Sequence, residues 1–200
     1  LRCPPAYARP SDRNLSIEVP ELGTVHADVA FGGMHYCIVD AASIGLRLEP
    51  SNGRQICRLG EMIKVACREQ HPVQHPEFDY PGCDILCFRG PLQRDVDGGV
   101  RARNTVVMSN GVLKWGCPET YTGMLDRSPC GTGTAAVMAL LHARGELGFG
   151  QAFTHESIIG TVFTGWLEEE KAVGADPQTR VAGVVARISG TAWITQVATV

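Results

Sequence analysis

The stretch from Ala135 to Ala143 constrains the chain most. Val137, Leu140, Leu141 and Arg144 recur at helical spacing, no proline or β-branched run interrupts the stretch, and Gly145 supplies a stop. Val137, Met138, Ala139, Leu140 and Leu141 are all apolar, so the pattern is hydrophobic nearly all round. Such a helix cannot lie on a surface and must be central, enclosed by other structure.

What encloses it is strand. Residues 15–19, 23–31, 35–40, 84–89, 105–108, 157–167, 181–188 and 192–197 are short, rich in β-branched residues and bounded by Gly, Pro, Asn or Asp. Turn chemistry at Pro20-Glu21-Leu22-Gly23 and Asn110-Gly111 makes most of these neighbours antiparallel, since parallel strands need a longer crossover. One further helix is expected over 54–70, half-exposed, with Ile56, Leu59, Ile63 and Ala66 or Cys67 on one stripe and Pro72 beyond its end. Segments 91–100 and 115–124 lack periodicity and read as loops. The expected class is α+β: a curved, mainly antiparallel, barrel-like sheet wrapped around a central helix.

With 200 residues and 44% hydrophobic content, one domain is the default. A net charge of −3 with scattered Lys and Arg gives no basic stripe for nucleic acid and no polybasic membrane patch, and no apolar run reaches membrane-spanning length. The expected partner is a small neutral or zwitterionic molecule. Eight cysteines at irregular positions, several inside apolar patterns, fit a reduced, cytoplasmic setting better than a disulfide framework.

Chemistry concentrates just before the central helix, in Asp126-Arg127-Ser128-Pro129-Cys130-Gly131-Thr132-Gly133-Thr134. The first N–H groups of a helix have no carbonyl within it to bond and carry the positive end of its dipole. They can therefore hold a carboxylate and favour thiolate over thiol. Cys37, Cys57, Cys67, Cys83 and Cys87 sit within periodic apolar patterns and read as small hydrophobes, whereas Cys130 sits between Pro and Gly at a helix start and reads as functional. Two roles are open to Asp126: binding a substrate ammonium, or capping the turn. The Gly131-to-Ala136 string fits a dinucleotide fingerprint only formally, because no hydrophobic strand precedes it, and no Lys follows to make a phosphate loop. His71, His75, Cys83, Cys87 and His155-Glu156 lack the spacing of a metal site, and His155-Glu156 reads as a structural turn pair.

The strings DRSPCGTGTAA, ALLHARGELGFGQAFTHESIIGTVFTG and ELGTVHADVAFGG resemble the proline racemase and hydroxyproline epimerase family. The resemblance implies a fold similar to diaminopimelate epimerase, in which each of two lobes is a curved sheet around a helix and the active site lies between them. It implies cofactor-independent inversion at the α-carbon of proline or a hydroxyproline, with one thiolate removing the proton and a second thiol delivering it to the other face. By that likeness Cys130 is one acid/base, Gly131 and Thr132 bind the carboxylate through backbone N–H groups, and Asp126 holds the substrate nitrogen. The family's other thiol sits in a Cys-Gly-His-Gly type motif that does not occur here, and Cys3 and Cys117 are each followed by proline. Residues 1–200 therefore resemble the second lobe alone, to be completed by a first lobe or an oligomeric partner. Members with threonine at the second cysteine resemble trans-3-hydroxyproline dehydratases, so Cys130 points to racemase or epimerase ancestry.

Overall fold

Alternation along the strands sorts side chains onto two faces, and both faces are covered. In the computed structural model, which describes residues 1–192, Tyr36, Ile38, Cys87 and Val106 pack in one core with the helix Gly131–Ala143 (α2). Their neighbours Cys37, Val39, Leu86, Phe88 and Val107 pack in a second core with the helix Gly53–Gln70 (α1). Strands buried on both faces need apolar residues at successive positions, which is why these segments are runs of V, I, L, C and F.

The strands are Ala6–Tyr7 (β1), Leu15–Val19 (β2), Gly23–Phe31 (β3), His35–Asp40 (β4), Ile85–Arg89 (β5), Gln93–Arg94 (β6), Val100–Ser109 (β7), Gly123–Leu125 (β8), Phe153–Glu156 (β9), Val162–Glu170 (β10) and Gly183–Gly190 (β11). The order β1-β11-β10-β9-β7-β5-β4-β3 closes on itself because β1 also pairs with β3 through Tyr7 and Phe31, giving an eight-stranded barrel. β2, β6 and β8 lie outside that ring on β3 and β7. Pairing is mostly antiparallel, as expected, and the parallel neighbours β4/β5 and β7/β9 are each joined through a helix, α1 and α2 respectively. α2 fills the barrel, with every residue from Gly133 to Leu141 buried.

Several boundaries differ from the sequence reading. Segment 157–167 is not one strand: Ser157 Oγ accepts from Thr161 N (3.1 Å) and Gly160 takes a φ of 83°, turning the chain between β9 and β10. His155-Glu156 accordingly lies inside β9 rather than in a turn. The expected loops carry the short strands β6 and β8 on the flanks of β7, where Val100 and Ser109 extend the strand beyond the expected 105–108. The expected strand 192–197 falls outside the described residues, apart from Ala192.

α1 is more enclosed than its polar positions suggested, because Gly60 through Cys67 are all buried, Glu61 and Lys64 among them. The segment read as loop and its flanks cover it: Trp115 and Tyr121, with Leu113 and Leu125 on either side, join the same core. Lys64 Nζ donates to Glu61 Oε1 (2.6 Å) and to Ser109 Oγ, and Ser109 Oγ donates to Glu61 Oε2 (2.9 Å). Two opposite charges at 0% and 1% exposure are thus tied to each other and to one hydroxyl. No helix of the described residues is long and apolar enough to cross a membrane.

Candidate active site

β7 sets the position of the cysteine turn. Its Val106 carbonyl accepts from Asp126 N (3.0 Å), and its Asn104 Nδ2 donates to the Pro129 carbonyl (2.8 Å). Between those anchors Asp126 Oδ1 accepts from Ser128 N (2.8 Å) and Ser128 Oγ (2.9 Å), while Ser128 Oγ accepts from Cys130 N (3.1 Å). Asp126, Ser128 and Cys130 are therefore one hydrogen-bonded unit. Asp126 does cap its turn, and it does so with one oxygen only: among the described residues, Oδ2 makes no hydrogen bond.

Cys130 is the N-cap of α2, with φ 65° and ψ 116°. A non-glycine residue there stores strain of about 1–3 kcal/mol, which persists only where the surroundings over-determine it. Here they do. Thr134 N donates to the Cys130 carbonyl (2.9 Å) as the first bond of the helix, so the N–H groups of Gly131, Thr132 and Gly133 have no helical carbonyl to bond and converge beside the half-buried Cys130. The Gly32-Gly33 turn between β3 and β4 presses on this helix start. A Cβ on Gly32 would overlap Thr132 O and Ala136 N, and one on Gly33 would come within 2.8 Å of Thr132 Cγ2.

Below the turn, Thr134 Oγ1 donates to the Cys130 carbonyl (2.7 Å) and lies 2.9 Å from His155 Nδ1. With the threonine proton so committed, His155 carries its own on Nδ1 and donates to Thr134. Burial, then the charge of Arg89, pushes this imidazole down to about 3. His35, which contacts Tyr7 Oη at 3.2 Å, is pushed down to about 4 by burial and then by His75. Both rings stay neutral in the fold while the unfolded chain takes up protons below its ordinary imidazole pKa, so acidification costs stability. Between pH 7 and pH 5 each should cost about 2 kcal/mol. Urea unfolding at the two pH values measures this, and His155→Gln should remove its own share of the slope.

The sequence reading brought together Asp126, Cys130, Gly131 and Thr132, and all four lie on this one turn and helix start. It placed Ser128 and Thr134 at the turn and helix start but missed the other residues that hold the site: Asn104, His155, the Gly32-Gly33 turn, and Tyr36 from β4. Tyr36 Oη lies 3.2 Å from Cys130 Sγ and 2.6 Å from Thr132 Oγ1. The one available signal was the inward phase of Tyr36 in the strand 35–40. Another thiol, Cys87 on β5, shares the field of Cys130, but it is wholly buried and pushed up to about 12, chiefly by that burial and next by Cys130.

The profile of the family described as Proline racemase matches residues 1–200. A proline racemase of Clostridioides difficile is 34% identical over 186 residues, which is 90% of this chain and 48% of that protein. A crystal structure of a hydroxyproline epimerase from Agrobacterium vitis with bound trans-4-hydroxy-L-proline superposes with a TM-score of 0.75 at 32% identity, over 94% of this chain and 48% of that one. A probable proline racemase from Agrobacterium radiobacter K84 with bound carbonate gives a TM-score of 0.75 at 31% identity, over 98% and 53%. The chain spans about half the length of the curated relatives it matches.

Proposed function

The chain belongs to the proline racemase family, and from that premise we propose that it supplies one of two acid/base thiols for cofactor-independent inversion at the α-carbon of proline or a hydroxyproline. The observation that carries this reading is Cys130 itself, held in a strained conformation at the N-cap of α2 beside N–H groups that have no hydrogen-bond partner among the described residues.

The α-proton of an amino acid is a weak acid, so its removal needs stabilisation of the charge that develops on the carboxylate. In this reading the substrate carboxylate sits on the N–H groups of Gly131 and Thr132, where the helix dipole adds to the hydrogen bonds. The Cys130 thiolate takes the α-proton and becomes a thiol, the C–H electron pair passes into the carboxylate, and a second thiol on the opposite face returns a proton to carbon. Asp126 holds the substrate nitrogen through Oδ2, while Oδ1 keeps the turn in place.

Cys87 is no candidate for the second acid, because it is wholly buried in the barrel core. By the family resemblance the second thiol belongs to a first lobe or a partner chain, and residues 1–200 act as a second lobe. All eight cysteines are unpaired, which supports a reducing, cytoplasmic setting.

The test is α-proton exchange into deuterated water with L-proline and trans-4-hydroxy-L-proline, using the full-length protein, together with calorimetry of pyrrole-2-carboxylate, which is planar where the deprotonated substrate is planar. Inversion with exchange, and binding weakened at least about tenfold by Asp126→Asn, is expected. Loss of water from hydroxyproline in place of inversion, or binding indifferent to Asp126, would sink this reading.

A further inference from the structure

Three protic groups form a closed triangle at the barrel end of the Cys130 side chain. Tyr36 Oη stands 3.2 Å from Sγ and 2.6 Å from Thr132 Oγ1, and Thr132 Oγ1 stands 3.8 Å from Sγ. The tyrosine is 1% exposed and rises from β4 inside the barrel, so water does not compete for its hydroxyl. Gly133 makes room for the contact, since a Cβ there would come within 3.2 Å of both Sγ and Tyr36 Cε1.

We propose that Tyr36 is the residue that sets the protonation state of Cys130, by donating its hydroxyl proton to the thiolate while Thr132 donates to Tyr36 in turn. The proposal rests on the reading of Cys130 as an acid/base. When the sulfur is a thiolate, the Thr132 hydroxyl donates to Tyr36 Oη and the Tyr36 hydroxyl donates to S⁻. When the sulfur carries a proton, Tyr36 turns its own hydroxyl to Thr132 Oγ1 and its oxygen is free to accept from S–H. Each hydroxyl keeps its proton throughout, and only the direction of donation reverses.

Such a pair suits a sulfur that must alternate between taking a proton and giving one. A hydrogen bond to a charged acceptor is about twice as strong as one to a neutral acceptor, so the triangle favours the thiolate. Tyrosine stays a phenol here, because burial raises its pKa above the ordinary range and a neighbouring thiolate raises it further. Of the other titratable groups, Cys87 shares the field of Cys130, His155 reaches the Cys130 carbonyl through Thr134, and Asp126 lies on the same hydrogen-bonded turn. Cys87 and His155 remain neutral across the range of the measurement, at about 12 and about 3.

The experiment follows carbamidomethylation of Cys130 against pH by peptide mass spectrometry, both in this chain and in the full-length protein. In Tyr36→Phe the midpoint should rise by about one pH unit, which is about tenfold less thiolate below both midpoints. Thr132→Val, which leaves Tyr36 without its donor, should move it a smaller distance the same way. A Tyr36→Phe midpoint equal to or below that of the parent overturns the proposal. Should thermal melts show that Tyr36→Phe does not fold, Thr132→Val decides, and an unmoved midpoint there overturns it. Since alkylation needs no turnover, raised midpoints in a protein that exchanges no α-proton would uphold the Tyr36 pairing while sinking only the racemase reading.

Discussion

Replacing Cys130 by serine should lower α-proton exchange by about three orders of magnitude or more in the full-length protein, with the fold intact. A general base contributes roughly 10²–10⁴ in rate, and an alcohol at this position cannot ionise near neutral pH as a thiol can. The hydroxyl still fits between Tyr36 and Thr132, so thermal melting should change little, and pyrrole-2-carboxylate should still bind the N–H groups of Gly131 and Thr132. Exchange measured by proton NMR that retained more than a tenth of the parent rate would remove Cys130 from the mechanism.

The second large effect is on stability. Glu61→Leu should cost about 3–5 kcal/mol, because it strips the counter-charge from Lys64, whose Nζ would keep only Ser109 as a partner in a site with 0% exposure. The double variant Glu61→Leu/Lys64→Met should recover most of that loss, since a well-packed apolar pair avoids desolvating two ions. Urea titrations of the parent, single and double variants measure the coupling directly. A Glu61→Leu variant within about 1 kcal/mol of the parent would show that Lys64 does not depend on this counter-charge.

How much of this was legible in the sequence depended on the range of each interaction. α2, its enclosure and the cysteine turn were readable because their determinants lie within a few residues: an all-round apolar helix, a Pro-Cys-Gly start and a glycine stop. Strands β2, β3 and β4 were readable to the residue, being short β-branched or apolar segments bounded by clear turns. β1 was invisible, because two residues have no pattern and their partners, Val184 and Phe31, lie far along the chain. The cover over α1 was missed because Tyr121 and Trp115 sit in aperiodic sequence and reach the core only through tertiary packing. Tyr36 was missed for a similar reason: its hydroxyl meets a sulfur 94 positions away, and inward phase alone does not say what an inward side chain will touch.

A two-residue strand near the start of the chain joins parts that are far apart in sequence. Leu1 N donates to the Ile188 carbonyl, 187 positions away, and Ala6–Tyr7 forms the seam between β11 and β3. That seam cannot be stitched until nearly the whole segment has left the ribosome, so until then the apolar helix behind Cys130 lacks the part of its cover that β10 and β11 supply. High contact order of this kind slows folding and prolongs exposure of sticky surface. The nascent chain is thus the form most at risk of aggregation, and one that a chaperone would have reason to hold.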